Sequence, residues 1–290
     1  MNNKRYTPLL LLLPFIVIMV LILISIWNVL VQSLGYIPAF GLTEFTLDYY
    51  KAVFNRKEFL SSLFVSLRIA FFSAVLAVIL GVILCAALIA LKSTKSTVLS
   101  IIRMPILIPH AVAAVFVINV FSQTGLLARI AYAFGYISDY SEFSQLLYTG
   151  GYEGAILAYL WKEIPFVAYF IMALMSGISH TLGEAAENLG ASPMKSFFQI
   201  TLPLSMPAIT KAFLIIFIFA FGGYELPLLL GATIPKALPV QAYIAYTNPN
   251  LLERPFAMAM NGVILLLSAG MTLLYLLFTS RLMKKQGGTK

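Results

Sequence analysis

Six stretches of the chain are apolar for long enough to cross a bilayer, and polar, charged or proline-rich segments separate them. A hydrocarbon core about 30 Å thick takes about 20 helical residues, because irregular backbone facing lipid leaves its peptide groups unpaired. The pattern predicts spans at roughly 8–32, 63–91, 104–122, 152–177, 208–231 and 256–280. The third is the least regular, with Pro105, Pro109 and His110 in its first turns, yet its remainder, AVAAVFVINVF, reads as membrane-embedded. The first begins with the basic flank of a signal peptide. Its apolar run from Leu9 to about Val31 exceeds the roughly 7–15 residues of a signal h-region, and no small-x-small cleavage site follows, so an uncleaved span is expected. No internal repeat is visible, so a symmetric functional unit requires a second subunit.

Composition agrees with a membrane solvent. The chain is 61% hydrophobic, has a mean hydropathy of +0.94 and is only 10% charged, against about 25% charged in soluble domains. The expected fold class is therefore an all-α integral membrane protein with six transmembrane helices. A net charge of +8 would point to nucleic acid in a soluble protein, but here the basic residues flank apolar runs, where they orient the chain and meet anionic headgroups. No nucleic-acid partner is expected. With the N-terminus in the cytoplasm, the inside segments hold Lys4, Arg5, Lys92, Lys95, Arg103, Lys195, Lys211, Arg281, Lys284, Lys285 and Lys290; the outside segments hold only Lys51, Arg56, Lys57, Arg129, Lys236 and Arg254. That bias places both termini inside. The lone cysteine, Cys85, lies in an apolar run and is read as packing, and two histidines give little support for a metal site.

The loop between spans four and five is polar and punctuated: GEAAENLGASPMKSFFQITLP, Gly183 to Pro203. Thr181 and Glu184 have capping-box spacing, so a short helix is expected over about 182–189, with Gly190 in the left-handed terminating position. Ser192 and Pro193 supply a second cap and a favoured first helical residue, opening another helix expected to fail near Leu202-Pro203. Ala185, Ala186 and Leu189 share one face of the first helix, and small residues there let another protein approach the backbone. The alternative is an amphipathic connector lying on headgroups, which the two glutamates and the lack of Lys or Arg between Gly183 and Met194 disfavour.

The order EAA, three residues, Gly, nine residues, then I-x-LP (Glu184, Ala185, Ala186, Gly190, Ile200, Leu202, Pro203) closely resembles the EAA loop of permease subunits of binding-protein-dependent type I ABC importers, the MetI-like family. The resemblance covers roughly residues 60–280, including WKEIPF before the loop and FGGYELPLLLG after it. It implies a domain at 60–280 with the EAA loop at 181–203, preceded by an N-terminal helix and external loop at 1–59 and followed by a basic tail at 281–290. It also implies that Glu184, Ala185, Ala186, Leu189 and Gly190 form a cytoplasmic helix-turn-helix coupling loop seated on a separate ATPase dimer. ATP and Mg would sit on that partner, since the chain has no GxxxxGK[ST] loop. A second permease, expected to make a heterodimer, and an extracytoplasmic solute-binding protein complete the implied assembly in a prokaryotic cytoplasmic membrane.

Charges within a bilayer cost about 2.5–3.5 kcal/mol each on insertion scales, so those retained need a partner or a wet cavity. Lys162 and Glu163 in span four and Glu225 in span five stand out, and helix rise puts Lys162 and Glu225 at overlapping depths. Either they interact, as a structural pair, or Glu225 lines the translocation path. Gly222, Gly223 and Pro227 around Tyr224 weaken the helix beside it. Asn119, Gln123 and Asn261 read as interhelical hydrogen-bond partners, Asn261 also as a path residue, and His110 as a packed or hydrated side chain. No catalytic residues are expected. The segments FGGYELPLLLG, KALPVQAYIAYTNPNLLERPFAMAMN and EAAENLGAS look more like the polyamine branch of the family, with iron, phosphonate and thiamine relatives, than the sugar branch. An ion-coupled secondary transporter and an intramembrane enzyme are the alternatives from other classes.

Overall fold

The structure is a computed structural model that describes residues 7–90, 96–175 and 188–287, together with Leu182, Ala185 and Ala186. Its long elements are α1 (Thr7–Ser33), α2 (Asp48–Asn55), α3 (Phe59–Ala90), α4 (Ser96–Leu107), α5 (His110–Phe121), α6 (Leu126–Ala133) and α7 (Glu153–Met175). They continue with α8 (Pro193–Gly222), α9 (Glu225–Leu230), α10 (Leu238–Tyr246) and α11 (Arg254–Gly287). Among the described residues there is no strand beyond one isolated bridge between Ile37 and Leu42, and six helices are long and apolar enough to cross a membrane. This is the all-helical six-span architecture that the hydropathy pattern predicts.

The chain divides into two compact units, one formed by 1–59 with 241–267, the other by 60–240 with 268–290. In the first unit the Ser33 and Tyr50 hydroxyls lie 2.8 Å apart and the Arg56 guanidinium sits 4.2 Å over the Phe256 ring. Side chains 11–24 of α1 are all apolar and exposed, a surface suited to lipid or another membrane subunit.

The core of the second unit is the meeting of α3, α7 and α8. Small residues allow it: Ala74, Ala77 and Ala86 of α3, Ala168 of α7 and Ala212 of α8 are buried together with Val167, Ile171, Phe197 and Ile216. Lipid supplies no hydrophobic drive for helix association, so close approach and dispersion have to hold such helices together. Gly81 marks the tightest point, since a Cβ there would fall 2.5 Å from Cβ of Val167.

Two spans differ from their expected form. The third is built from α4 and α5, broken at Ile108-Pro109. Length and apolarity alone select His110–Ala133, but contacts decide otherwise: Tyr169 of α7 donates to the Leu99 carbonyl, Lys162 to the Ile108 carbonyl, and Trp161 stacks on Phe116 with centroids 4.6 Å apart. These contacts run antiparallel along α7, so α4 and α5 share its depth, and α6 follows after the turn at Gly125. Span five is the second correction. The helix opened by Ser192 does not fail at Leu202-Pro203; it runs unbroken from Pro193 to Gly222 through a π-helical segment, Phe197–Thr201. There the Leu202 amide bonds back to the Phe197 carbonyl. The wider turn accommodates Pro203, whose ring would otherwise press on the preceding turn's carbonyl. Span five therefore ends at Gly222 rather than 231, and residues 225–230 form a separate short helix.

Gly81→Ala is expected to destabilise the purified protein by about 1–3 kcal/mol, read as a lowered thermal midpoint in detergent. Gly270→Ala, where a Cβ meets nothing within 4 Å, should leave the midpoint unchanged or raise it.

Candidate functional site

Two helix breaks generate the polar centre of the second unit. At the first, Pro109 has no amide hydrogen, and the Ile108 amide bonds to the Pro105 carbonyl at 3.3 Å instead. Pro109 then caps α5 in extended geometry (φ −58°, ψ 149°). The Ile108 carbonyl is left outside both flanking helices, and the Lys162 ammonium donates to it from α7. At the second, Gly223 ends α8 with extended backbone (φ −75°, ψ 129°), and α9 starts at Glu225. Only glycine fits there, because a Cβ would come 2.2 Å from the Tyr159 hydroxyl.

The two breaks face each other. His110, first residue of α5, places Nδ1 3.5 Å from Oε2 of Glu225, first residue of α9. A carboxylate at a helix N-terminus also meets the unpaired amides there. Phe219 and Tyr159 wall the imidazole, with ring centroids at 5.3 and 6.2 Å. Nε2 of His110 is buried without a hydrogen-bond partner among the described residues. Lys162 is 7% exposed, whereas the Glu225 side chain is 49% exposed, so the cluster runs from a buried cation to a carboxylate at an open face.

This arrangement corrects the expected Lys162–Glu225 contact. The ammonium donates to a carbonyl and the carboxylate lies beside an imidazole, an ion pair only when His110 is protonated, while Glu163 and Glu225 both act electrostatically on Lys162. Glu163 is half-buried beside Lys162, and half-buried Tyr224 immediately precedes α9. Asn261 lies on α11 in the other compact unit. Asn119 bonds the Val115 carbonyl of its own helix at 2.8 Å, and Gln123 bonds the loop carbonyl of Phe143 at 3.0 Å, so neither makes the expected interhelical bond. The sequence reading missed His110 as a partner. Its signal was there: a polar residue directly after a proline that interrupts a span needs something to meet.

Beyond the far end of α7, Leu182, Ala185, Ala186 and Asn188 are helical, and the Leu189 amide bonds to the Ala185 carbonyl at 3.1 Å. Gly190 has φ +90°, and the Ala191 amide reaches the Ala186 carbonyl at 3.0 Å, a Schellman closure that needs a left-handed residue. The Ser192 hydroxyl then accepts from the Lys195 amide at 3.3 Å and α8 begins at Pro193. Ala185 is exposed and Leu189 is 90% exposed at the tip. Thr181, Glu184 and the capping box they define lie outside the described residues.

A sequence profile of the family described as "binding-protein-dependent transport system inner membrane component" matches residues 73–284. The sn-glycerol-3-phosphate transport system permease protein UgpA of Pectobacterium atrosepticum is 26% identical over 294 residues, covering 96% of each chain. The trehalose transport system permease protein SugB of Mycobacterium tuberculosis is 26% identical over 224 residues, 76% of this chain and 73% of its own. Among solved structures, a bacterial ABC transporter involved in import of the acidic polysaccharide alginate matches with a TM-score of 0.74 at 19% identity, over 97% of both chains.

A double-mutant cycle of His110→Ala and Glu225→Gln, measured by thermal or denaturant unfolding, should return a coupling of about 0.5–2 kcal/mol. Exchanging charges through Lys162→Glu with Glu225→Lys should not restore function lost in the single variants.

Proposed function

This chain belongs to the family of binding-protein-dependent transport system inner membrane components, and from that premise we propose how it works and what it carries. As an ABC importer permease it is a transport subunit, not an enzyme. In the proposed assembly it forms half of a translocation path with a second, non-identical permease. The tip around Ala185, Ala186, Leu189 and Gly190, with Glu184 beside it, seats on a separate ATPase dimer that holds ATP and Mg. A solute-binding protein delivers cargo on the opposite side. Both termini and the tip are cytoplasmic in a prokaryotic inner membrane.

The observation that carries this reading is the junction at Gly190. Only two residues separate that turn from α8, and α8 is a single helix of 30 residues, about 45 Å long at 1.5 Å per residue. Its far end is the Gly223 break beside Glu225. A push on the exposed tip is therefore delivered, through one rod, to the polar cluster where α5 and α9 meet. Alternating access needs such a rigid link between the motor site and two packed helix ends with discrete arrangements.

The solute we propose is a saccharide or sugar phosphate. The polyamine branch suggested by FGGYELPLLLG and the segments around it finds no support among the relatives named above. The named relatives carry sn-glycerol 3-phosphate and trehalose. Deleting the gene should abolish uptake of a labelled sugar or sugar phosphate and leave spermidine uptake intact; the reverse outcome would overturn the substrate class. Uptake that continues without any ATPase partner would favour an ion-coupled transporter instead.

Gly190→Pro should uncouple ATP hydrolysis from uptake while the spans still insert, because proline holds φ near −65° where +90° is required. In the complete, active assembly, Ala185→Cys should crosslink to the ATPase subunit.

A further inference from the structure

The segment following α5 folds back on itself around an open cleft of about 280 Å³. Its construction is local. Gly125 starts α6 against the Asn119 and Val120 carbonyls, both 2.9 Å from where a Cβ would stand. Gly135, at φ +71°, ends the helix with the Tyr136 amide on the Ala131 carbonyl at 2.9 Å. The chain reverses there and brings Tyr140 back over Ala128 and Tyr132, while the Gln123 amide group bonds the Phe143 carbonyl and closes the base.

The polar groups around the cleft are unequally satisfied. Asp139 accepts from the Ser141 amide at 2.9 Å and its hydroxyl at 2.6 Å, contacts that hold its carboxyl below the usual range. Glu142 accepts from the Ser138 amide at 2.8 Å. Both acids are thus engaged by their own turn. Arg129 is not: only its Nε is used, towards the Gly125 carbonyl at 3.4 Å, and no carboxylate lies within 4.0 Å of it among the described residues. The hydroxyls of Tyr132 and Tyr140, both exposed, have no intramolecular partner among those residues either.

An unneutralised planar fork beside two aromatic faces matches a defined chemistry. The terminal guanidinium nitrogens can take a carboxylate or phosphate in a bidentate bond, and tyrosine rings present flat apolar faces with polar edges. The volume is just below that of drug-sized ligand sites, about 300–1,000 Å³, so at most one sugar unit would fit. We infer that this cleft is an outer subsite for an anionic saccharide, with Arg129 on the charged group and Tyr132 and Tyr140 on the ring. The inference rests on the saccharide reading above. The cleft is built from the connection between the third and fourth spans, which the proposed orientation places outside, so it would meet solute before the membrane path does.

Saturation-transfer NMR on the full chain in lipid nanodiscs tests this with glucose 6-phosphate, glucuronate, glucose and inorganic phosphate as probes. Glucose 6-phosphate and glucuronate should give transfer, and their affinity should fall roughly tenfold in Arg129→Gln, the scale of one lost charge-assisted contact. Arg129→Lys should retain part of it, and the Tyr132→Ala, Tyr140→Ala pair should weaken both ligands with elution on gel filtration unchanged. Absence of transfer, affinity unchanged in Arg129→Gln, or inorganic phosphate binding as well as glucose 6-phosphate would each overturn the subsite. Saccharide uptake that requires the gene but is indifferent to these variants, together with unchanged binding, would sink the cleft and leave the transport reading standing. Uptake indifferent to gene deletion would sink the transport reading, while the binding result still decides the cleft.

Discussion

The Lys162 ammonium on the Ile108 carbonyl is the contact from which the rest of the second unit can be understood. In hydrocarbon a peptide group without a partner costs several kcal/mol, of order the cost of the charge itself. A proline in a span creates such a group, and a buried lysine is a second liability of similar size. Brought together, each offsets the other. The chain can then keep a broken helix at membrane depth, and the break is what turns His110 towards Glu225.

That pairing explains why polar chemistry is concentrated at helix ends rather than spread along the spans. The polar contact between α5 and α9 is made by the first residue of each helix, and the Gly223 backbone packs against the Tyr159 hydroxyl. Around this centre the α3–α7–α8 core is tight and built of alanines. The centre thus combines a tight core with a half-exposed carboxylate, which is the basis for the proposal that it walls the path.

The mechanical and chemical features meet in α8. It starts at Pro193, with two residues between it and the left-handed Gly190, and ends at Gly222, continuing through Pro203 by way of the π segment Phe197–Thr201. In the proposed mechanism, displacements at its loop end would be carried along this helix to the place where two helix termini touch. The Tyr- and Arg-lined cleft is built from α6 and the segments flanking it, and shares no residue with this helix.

Much of this was legible in the chain. Apolar runs separated by charge dictate spanning helices, since bilayer thickness admits few other solutions, and Gly190 with Ser192-Pro193 dictates a turn and a cap through backbone constraints that act within a few residues. Glycines at 222 and 223 likewise announced a break. What local rules could not decide was who meets whom. Lys162 and Glu225 stand at overlapping depths in one dimension, yet depth carries no information about azimuth, and only packing shows that the ammonium turns to Ile108 and the carboxylate to His110. Pro203 looked like a helix stop because the sequence rule ignores a wider turn that the surrounding helices hold in place. The burial of Phe197 and Ile216 against α3 and α7 is a tertiary outcome of that kind. Short-range geometry was thus fixed by residue type, whereas partners across helices were chosen by the close packing that the folded bundle alone supplies.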